Sequence, residues 1–238
     1  MSSAQAARPA AARPRVVTIH QPDFLPWLGF FQRWQAADLY VVLDDVQFIR
    51  RGWHHRDRVK TARGPAWLTV PVRKKGRFHQ LINQVELAED PDWRTGHLDA
   101  LAAAYAQAPN RGPVLAGLER IYARGHARLV DLNLELLVWA GAELGIETPY
   151  LLSSELGVEA GGTERLAELA RAVGGAVYLT GTGSRDYLDQ DRMAEAGLEV
   201  RWQEFRHPVY PQLHGEFAPM LSVVDYLMMR DSRERRPW

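Results

Sequence analysis

Two histidines leave apolar runs in similar surroundings. His20 closes VVTIH two positions before Pro22, and His207 follows EVRWQEF in the stretch FRHPVYPQ, directly before Pro208. An imidazole titrates near neutral pH, so at a strand exit it can take a proton from an amine nucleophile. The prolines stiffen both loops and hold the residues before them extended. Gln21 adds an amide beside His20, as Gln212 does beyond His207, while Phe24, Trp27 and Tyr210 offer an apolar or sugar-stacking wall. His20 and His207 are therefore expected to line one pocket from two sides, with at least one as general base. The plainer alternative for each is an imidazole that satisfies backbone groups where a strand ends.

Carboxylates and donors supply the rest of the candidate chemistry. Asp44 and Asp45 end the run LYVVLDD. Adjacent strand residues face opposite sides, so the two cannot form a dyad with each other. One is expected to enter the cleft, to orient an ammonium, hold a divalent ion or polarise His20, and the other to cap a loop or pair with an arginine. Asp45 is assigned the catalytic place and Asp44, with Gln47, a substrate-binding one. In TGTGSRDYLD, Thr180, Gly181, Gly183 and Ser184 resemble an anion nest after a strand, although a turn that needs glycine torsions has the same composition.

The segment FIRRGWHHRDRVK sets Arg51, His54, Arg56 and Lys60 around Trp53. Its chemistry suits a phosphate, a nucleotide-sugar diphosphate or a carrier phosphopantetheine; the alternative is a solvated basic face. Lysines are confined to Lys60, Lys74 and Lys75 among 29 basic residues, which hints at a local need for a compact ammonium. No HExxH or regular histidine spacing occurs, so no metal site is expected.

These groups need elements to place them. VVTIH, then helical FFQRWQAAD, then LYVVLDD make a β-α-β unit. AWLTVPV and LINQVEL read as strands around the basic turn RKKGR. From about residue 91 to 145 the pattern is helical, with breaks at Pro109, Pro113 and Gly125. Alternation resumes with PYLLSS, a helix TERLAELARAVG capped by Thr163 and ended by Gly174, strand AVYLTG, helix DQDRMAEAG, strand EVRWQEF and a closing helix SVVDYLMMRD. This predicts a disordered tail over residues 1–15 and one α/β domain over 16–230, with a mostly parallel Rossmann-like sheet, flanking helices and a helical insertion. In such sheets ligands collect where strands end, which places His20, Asp45 and Gly181 at one edge.

Bulk properties narrow the classes. The 238 residues carry 29 basic and 29 acidic side chains, so no global field draws the chain to nucleic acid or an anionic membrane. Without cysteine there is no disulfide framework, thiolate metal site or Cys nucleophile, and a cytoplasmic location is expected. The N-terminal stretch lacks the apolar region of a secretory signal. The most apolar later stretch, residues 129–145, contains Asp131, Glu135 and Glu143 and reads as a core helix.

The stretches HQPDFLPWLGFFQRWQAADLYVVLDDVQFIRRGWHHRDRVKT, WLTVPVRKKGR, SSELG, TERLAELARAVGGAVYLTGTGSRDYLD, FRHPVYPQ and FAPMLSVVDYL closely resemble the WbqC-like family over roughly residues 16–229. That resemblance implies a place in gene clusters for O-antigen, other surface polysaccharides or natural products. It also implies transfer of an amino acid such as glycine onto an amino sugar. The opening β-α-β unit is similar in architecture to nucleotidyltransferase-like enzymes such as pantothenate synthetase. The corresponding stretch PDFLPWLG lacks the histidine pair that holds nucleotide phosphates there.

The first functional expectation is an acyl or aminoacyl transferase acting on a small-molecule or carrier-linked amine, such as an amino sugar. His20 or His207 would take the proton and the Gly181 loop would hold the oxyanion. Without cysteine, direct transfer from an activated donor is favoured over an enzyme thioester, and a route through Ser153, Ser154 or Ser184 stays open. The alternatives are a non-catalytic sugar- or carrier-binding module, or a nucleotidyltransferase-like ATP-dependent enzyme. No cofactor is assigned.

Overall fold

The computed structural model describes residues 13–89, 92–231 and 236–238. In chain order it contains β1 (Val16–His20), α1 (Leu28–Ala36), β2 (Leu39–Val42), β3 (Arg56–Thr61), β4 (Gly64–Thr69), α2 (Trp93–Ala104), α3 (Arg111–Tyr122), α4 (Leu129–Glu143), β5 (Tyr150–Leu152), α5 (Gly162–Ala172), β6 (Val177–Thr180), α6 (Gln190–Glu195), β7 (Glu199–Trp202) and α7 (Val223–Met229). The fold is α/β: five strands form one parallel sheet in the order β5-β2-β1-β6-β7, and β3 and β4 form a separate antiparallel hairpin. The chain builds outward from β1 to β2 and β5, then returns to the far side of β1 for β6 and β7. Sheets of this kind take ligands in a crevice where the strand order reverses, here beyond the carboxyl ends of β1 and β6.

Apolar residues cover both faces of the sheet, which is why its strands read as continuous apolar runs. On one face Val17, Ile19, Leu39 and Val41 pack against Ala167 and Leu169 of α5 and Met193 of α6. On the other, Tyr40 and Val42 join a larger core with Phe30, Phe31 and Trp34 of α1 and Leu132, Leu136 and Leu137 of α4. Leu43 and Leu166 are only partly buried at the edge of the first cluster. The helical insertion is α2–α4, and α7 packs on α3 and β3.

Several local expectations need correction. Residues 81–87 are not a strand: Ile82–Gln84 is a single 3-10 turn flanked by the isolated bridges Gln47 to Leu81 and Val72 to Leu87. Strand β3 lies in the segment read only as a basic cluster. Pro113 does not break a helix but sits in the first turn of α3, where a missing N–H costs nothing. Gly161, not Thr163, occupies the N-cap of α5, and the Thr163 hydroxyl instead accepts from the Asp189 amide at 3.0 Å. Phe24 belongs to no pocket wall. It is fully buried in the core.

Residues 1–12 of the expected tail lie outside the described residues. Arg13 and Arg15, at its end, already touch the domain: Arg13 forks onto Asp38 and Arg15 donates to the Val173 carbonyl at 2.7 Å.

The loop from β1 to α1 is held under tension. Leu25, a buried non-glycine residue, has φ 44°, a backbone state that L side chains rarely adopt. The Ser222 hydroxyl donates to the Leu25 carbonyl at 2.7 Å and accepts from the Val224 amide at 3.3 Å, so one side chain caps α7 and clamps the strained residue. The Val223 amide adds a bond to the Pro26 carbonyl at 3.0 Å. Ser222→Ala should lower unfolding free energy by about 1–2 kcal/mol, the scale of a lost cap. A urea midpoint unchanged from wild type would show that the clamp contributes nothing.

Candidate active site

Because β1, β2 and β6 run parallel, His20, Asp44–Asp45 and Gly181 all leave the sheet at one edge. The site forms around β1, at the sheet reversal. His20 donates Nδ1–H to the Gln21 carbonyl at 2.9 Å; a carbonyl only accepts, so in the neutral ring the lone pair sits on Nε2. Burial, then the charge of Arg33, push the His20 imidazole down to about 3, although 37% of the side chain reaches solvent. This departs from the near-neutral imidazole expected from sequence, because the ring backs onto Phe30 (5.3 Å between centroids) and a buried cation lies near.

Asp23 and Arg33 were not singled out by the sequence. Asp23 stands 3.8 Å from His20 Nδ1 and 3.9 Å from His54 Nε2. Burial pushes its carboxyl up to about 7, with Arg33 opposing. Arg33 lies on the buried face of α1 with Phe30 and Trp34. Its guanidinium makes one hydrogen bond, to Gln203 Oε1 at 3.3 Å, and meets no carboxylate within 4.0 Å among the described residues. Burial depresses the guanidinium, and Asp23 is among the groups that offset this.

Gly181 matters through contact. A Cβ there would come 2.8 Å from Arg33 Nη1, so a larger residue at the β6 exit would displace the guanidinium from this position. Neither Gly181 nor Gly183 adopts positive φ, which removes glycine torsion as their reason. Thr180 and Ser184 bond to each other at 3.0 Å, and Ser184 to Tyr187 at 2.8 Å, so both hydroxyls are engaged in shaping the loop.

His54 completes the cluster from the turn before β3. The Ile49 amide donates to its Nδ1, so Nε2–H is free to donate to Gln21 Oε1 at 2.9 Å. Burial pushes His54 down to about 4. Asn133 of α4, fully buried, donates to the carbonyls of Pro22 and His54, both at 2.7 Å, and so ties the two loops together.

The other expected site residues fall into separate groups. Asp44 is saturated by Ser153, Ser154 and Asn83. Asp45 pairs with Arg165 at 2.6 Å and accepts from Ser153, closing the β2 and β5 ends. Trp27 folds back over Gly29, where any Cβ would strike the indole, and stacks with His207 at 6.4 Å; His207 in turn stacks with Tyr210 at 6.3 Å. The aromatic wall therefore exists, yet among the described residues no ring or hydrogen-bond contact joins His207 to His20. His207 donates Nδ1–H to the Pro208 carbonyl at 2.9 Å, and its Nε2 is buried without a partner.

Lys60, Tyr210 and Gln212 meet in another network. Asp225 accepts from Tyr105, Tyr210 and Gln212, and Lys60 Nζ donates to Gln212 Oε1 and to the carbonyls of Gly215 and Glu216. These bonds hold the 210–216 loop onto β3 and α7. Gln47 is exposed and donates to the Phe78 carbonyl, and Arg51 is exposed beside Arg56. Among the described residues no group of three or more His, Asp or Glu is disposed to hold a metal, and no helix is long and apolar enough to cross a membrane.

The comparisons with known proteins agree on one point. The model of the WbqC-like protein family matches residues 21–236. A Mycobacterium tuberculosis (strain ATCC 25618 / H37Rv) protein described as "Uncharacterized protein Rv1507c" is 36% identical over 213 residues, covering 89% of this chain and 92% of that protein. No solved structure matches the chain. The matched span contains Gln21, Asp23, Arg33, His54, Gly181 and the rest of the crevice except His20, and on that match the chain belongs to the WbqC-like protein family.

Proposed function

We propose that the protein is a biosynthetic acyl or aminoacyl transferase acting on an amine, in an amino sugar or a carrier-linked intermediate, in surface-polysaccharide or natural-product assembly. The amine nitrogen attacks the carbonyl carbon of an activated acyl donor. The C–N bond forms, the bond to the donor's leaving group breaks, and the amine proton passes through Asp23 to the departing group. His20 Nε2 accepts a hydrogen bond from the amine and orients it, and Arg33 faces the oxyanion. Trp27, His207 and Tyr210 offer a stacking wall for the body of the substrate.

The observation that carries this reading is the pairing of Asp23, whose carboxyl burial pushes up to about 7 between two imidazoles pushed down, with a buried Arg33 that meets no carboxylate within 4.0 Å among the described residues. A carboxyl poised at neutrality can both take and return a proton, and a buried cation without a contacting carboxylate favours a negative charge that develops during reaction. Incubation with glycyl-adenylate or a glycyl thioester and UDP-linked amino sugars, read by mass spectrometry, should yield the N-glycyl product. His20→Ala should reduce its formation about a hundredfold. Product formed equally fast by this variant would remove His20 from the mechanism. No product from any activated donor, with the sugar still bound, would favour a binding module.

A further inference from the structure

Residues 50–77 carry ten Lys and Arg against a single acid, Asp57, on a chain whose charges balance as a whole: a formal +9 here and −9 elsewhere. Burial pushes Asp57 up to about 8, so it offers little countercharge at neutral pH. Among the described residues, only Arg73 and Arg77 of these ten meet a carboxylate, and both meet Glu86. The others leave a concentrated positive charge.

Arg50 and Arg56 lie near a third cation, Lys74, whose ammonium meets the His55 imidazole. His55 is buried, its Nδ1 has no partner, and its Nε2 lies 3.5 Å from Lys74 Nζ. The Arg50 guanidinium lies 4.2 Å over the Phe78 ring and donates to the Lys74 carbonyl at 3.0 Å. Arg56 lies 4.3 Å over Trp67 and donates to the Arg51 carbonyl at 2.7 Å. Stacking and one carbonyl thus hold each guanidinium in place while other N–H groups stay available. The cations act on one another: burial, then Arg50 and Arg56, hold the Lys74 ammonium below its ordinary pKa. Holding like charges together without an anion is unfavourable, and side chains free to separate would do so.

We propose that Arg50, Arg56 and Lys74, with His55 at their base, bind the phosphoryl group of a phosphorylated ligand. Two guanidiniums and an ammonium supply the forked and point donors that phosphate oxygens accept. Beside them an open groove lined by Arg77, Phe78, His79, Gln80, Gln84 and Glu86, the last paired with Arg73 and Arg77, can take the adjoining part of the ligand. Trp53 and Trp67, about half exposed and 5.4 Å apart, offer a flat platform on the hairpin side. This grouping differs from the one read off the sequence, since Lys60 is spent on Gln212 and loop carbonyls. His54 faces the crevice and His55 the cations, so one turn of chain joins the two sites.

Calorimetric titration of the full chain with inorganic pyrophosphate at low salt tests the site without requiring turnover, so its failure would leave the transfer reading standing. Lys74→Ala and Arg50→Ala should each weaken binding at least tenfold with melting temperature unchanged. Arg63→Ala, which removes one exposed charge at the hairpin tip, should weaken it less than twofold. Equal losses for Lys74→Ala and Arg63→Ala would reduce the site to a diffuse basic face, and no binding at millimolar pyrophosphate would overturn it outright. Competition identifies the phosphoryl source: stronger displacement by uridine diphosphate assigns a nucleotide-linked ligand, and stronger displacement by 4′-phosphopantetheine a carrier arm. Failure of both to displace pyrophosphate would refute the proposal for organic phosphates.

Discussion

Asp23→Asn is expected to lower transfer at least a hundredfold at pH 8 and, in the same protein, to raise the melting temperature. The activity loss follows from removing a carboxyl that burial pushes up to about 7. With Asp23 as base, wild-type kcat/KM should rise through pH 6–8 and level off above, and this limb should vanish in the variant. A base titrating as low as His20 would leave the profile flat over the same range. The stability gain comes from linkage. Below 3.8 Asp23 is protonated in both folded and unfolded chains; between 3.8 and about 7 the folded chain keeps a proton that the unfolded chain releases, so stability falls as pH rises. Above about 7 the penalty is complete, on the order of a few kcal/mol for a shift of this size. Asn removes it, so melting should rise by several degrees at pH 8 and barely change at pH 4. A variant that loses activity together with stability at pH 8 would mark Asp23 as structural.

How far the sequence reaches can be judged residue by residue. The parallel strands were legible because a sheet buried on both faces requires unbroken apolar runs such as VVTIH and LYVV. Their common edge followed from topology, which is how His20 and Gly181 came to neighbouring strand ends. Strand β3 was not legible, since RDRVKT buries Asp57 and Lys60 alongside Val59 and its charges mask the apolar signal. LINQVEL has strand-like composition, yet its backbone bonds go to a 3-10 turn and to chain far away in sequence. Arg33 did leave a trace: in FFQRWQ it occupies the face shared by Phe30 and Trp34, so a charge on the buried side of a short helix was visible. Asp23 stood in the same loop as His20. Its protonation, however, depends on burial and on Arg33, which arise only when the chain is folded. The same holds for Lys60 and Gln212, 152 residues apart and bonded at 3.1 Å.

Arg33→Met should have the second largest effect, and its signature is a displaced pH profile. The methionine retains an unbranched apolar stem along the buried face of α1 and deletes a charge whose one hydrogen bond among the described residues goes to a neutral amide. Replacing a poorly compensated buried charge with an apolar side chain of similar length is neutral or stabilising by about 1–4 kcal/mol, so unfolding free energy should hold or rise. Turnover should fall about a hundredfold or more, the cost of losing a donor aimed at a developing oxyanion, with a smaller change in KM. Arg33 also lowers the pKa of Asp23 and of His20, so its removal should move both upward. The acid limb of the residual activity should therefore shift to higher pH, and a carbon-13 titration of the Asp23 carboxyl should shift the same way without any substrate. A residue that only packs would change melting temperature and leave that titration where it was. If Arg33→Met kept its turnover while the Asp23 titration moved as expected, the guanidinium would act only as an electrostatic neighbour, and the oxyanion would have to be held by backbone amides of the Gly181 loop.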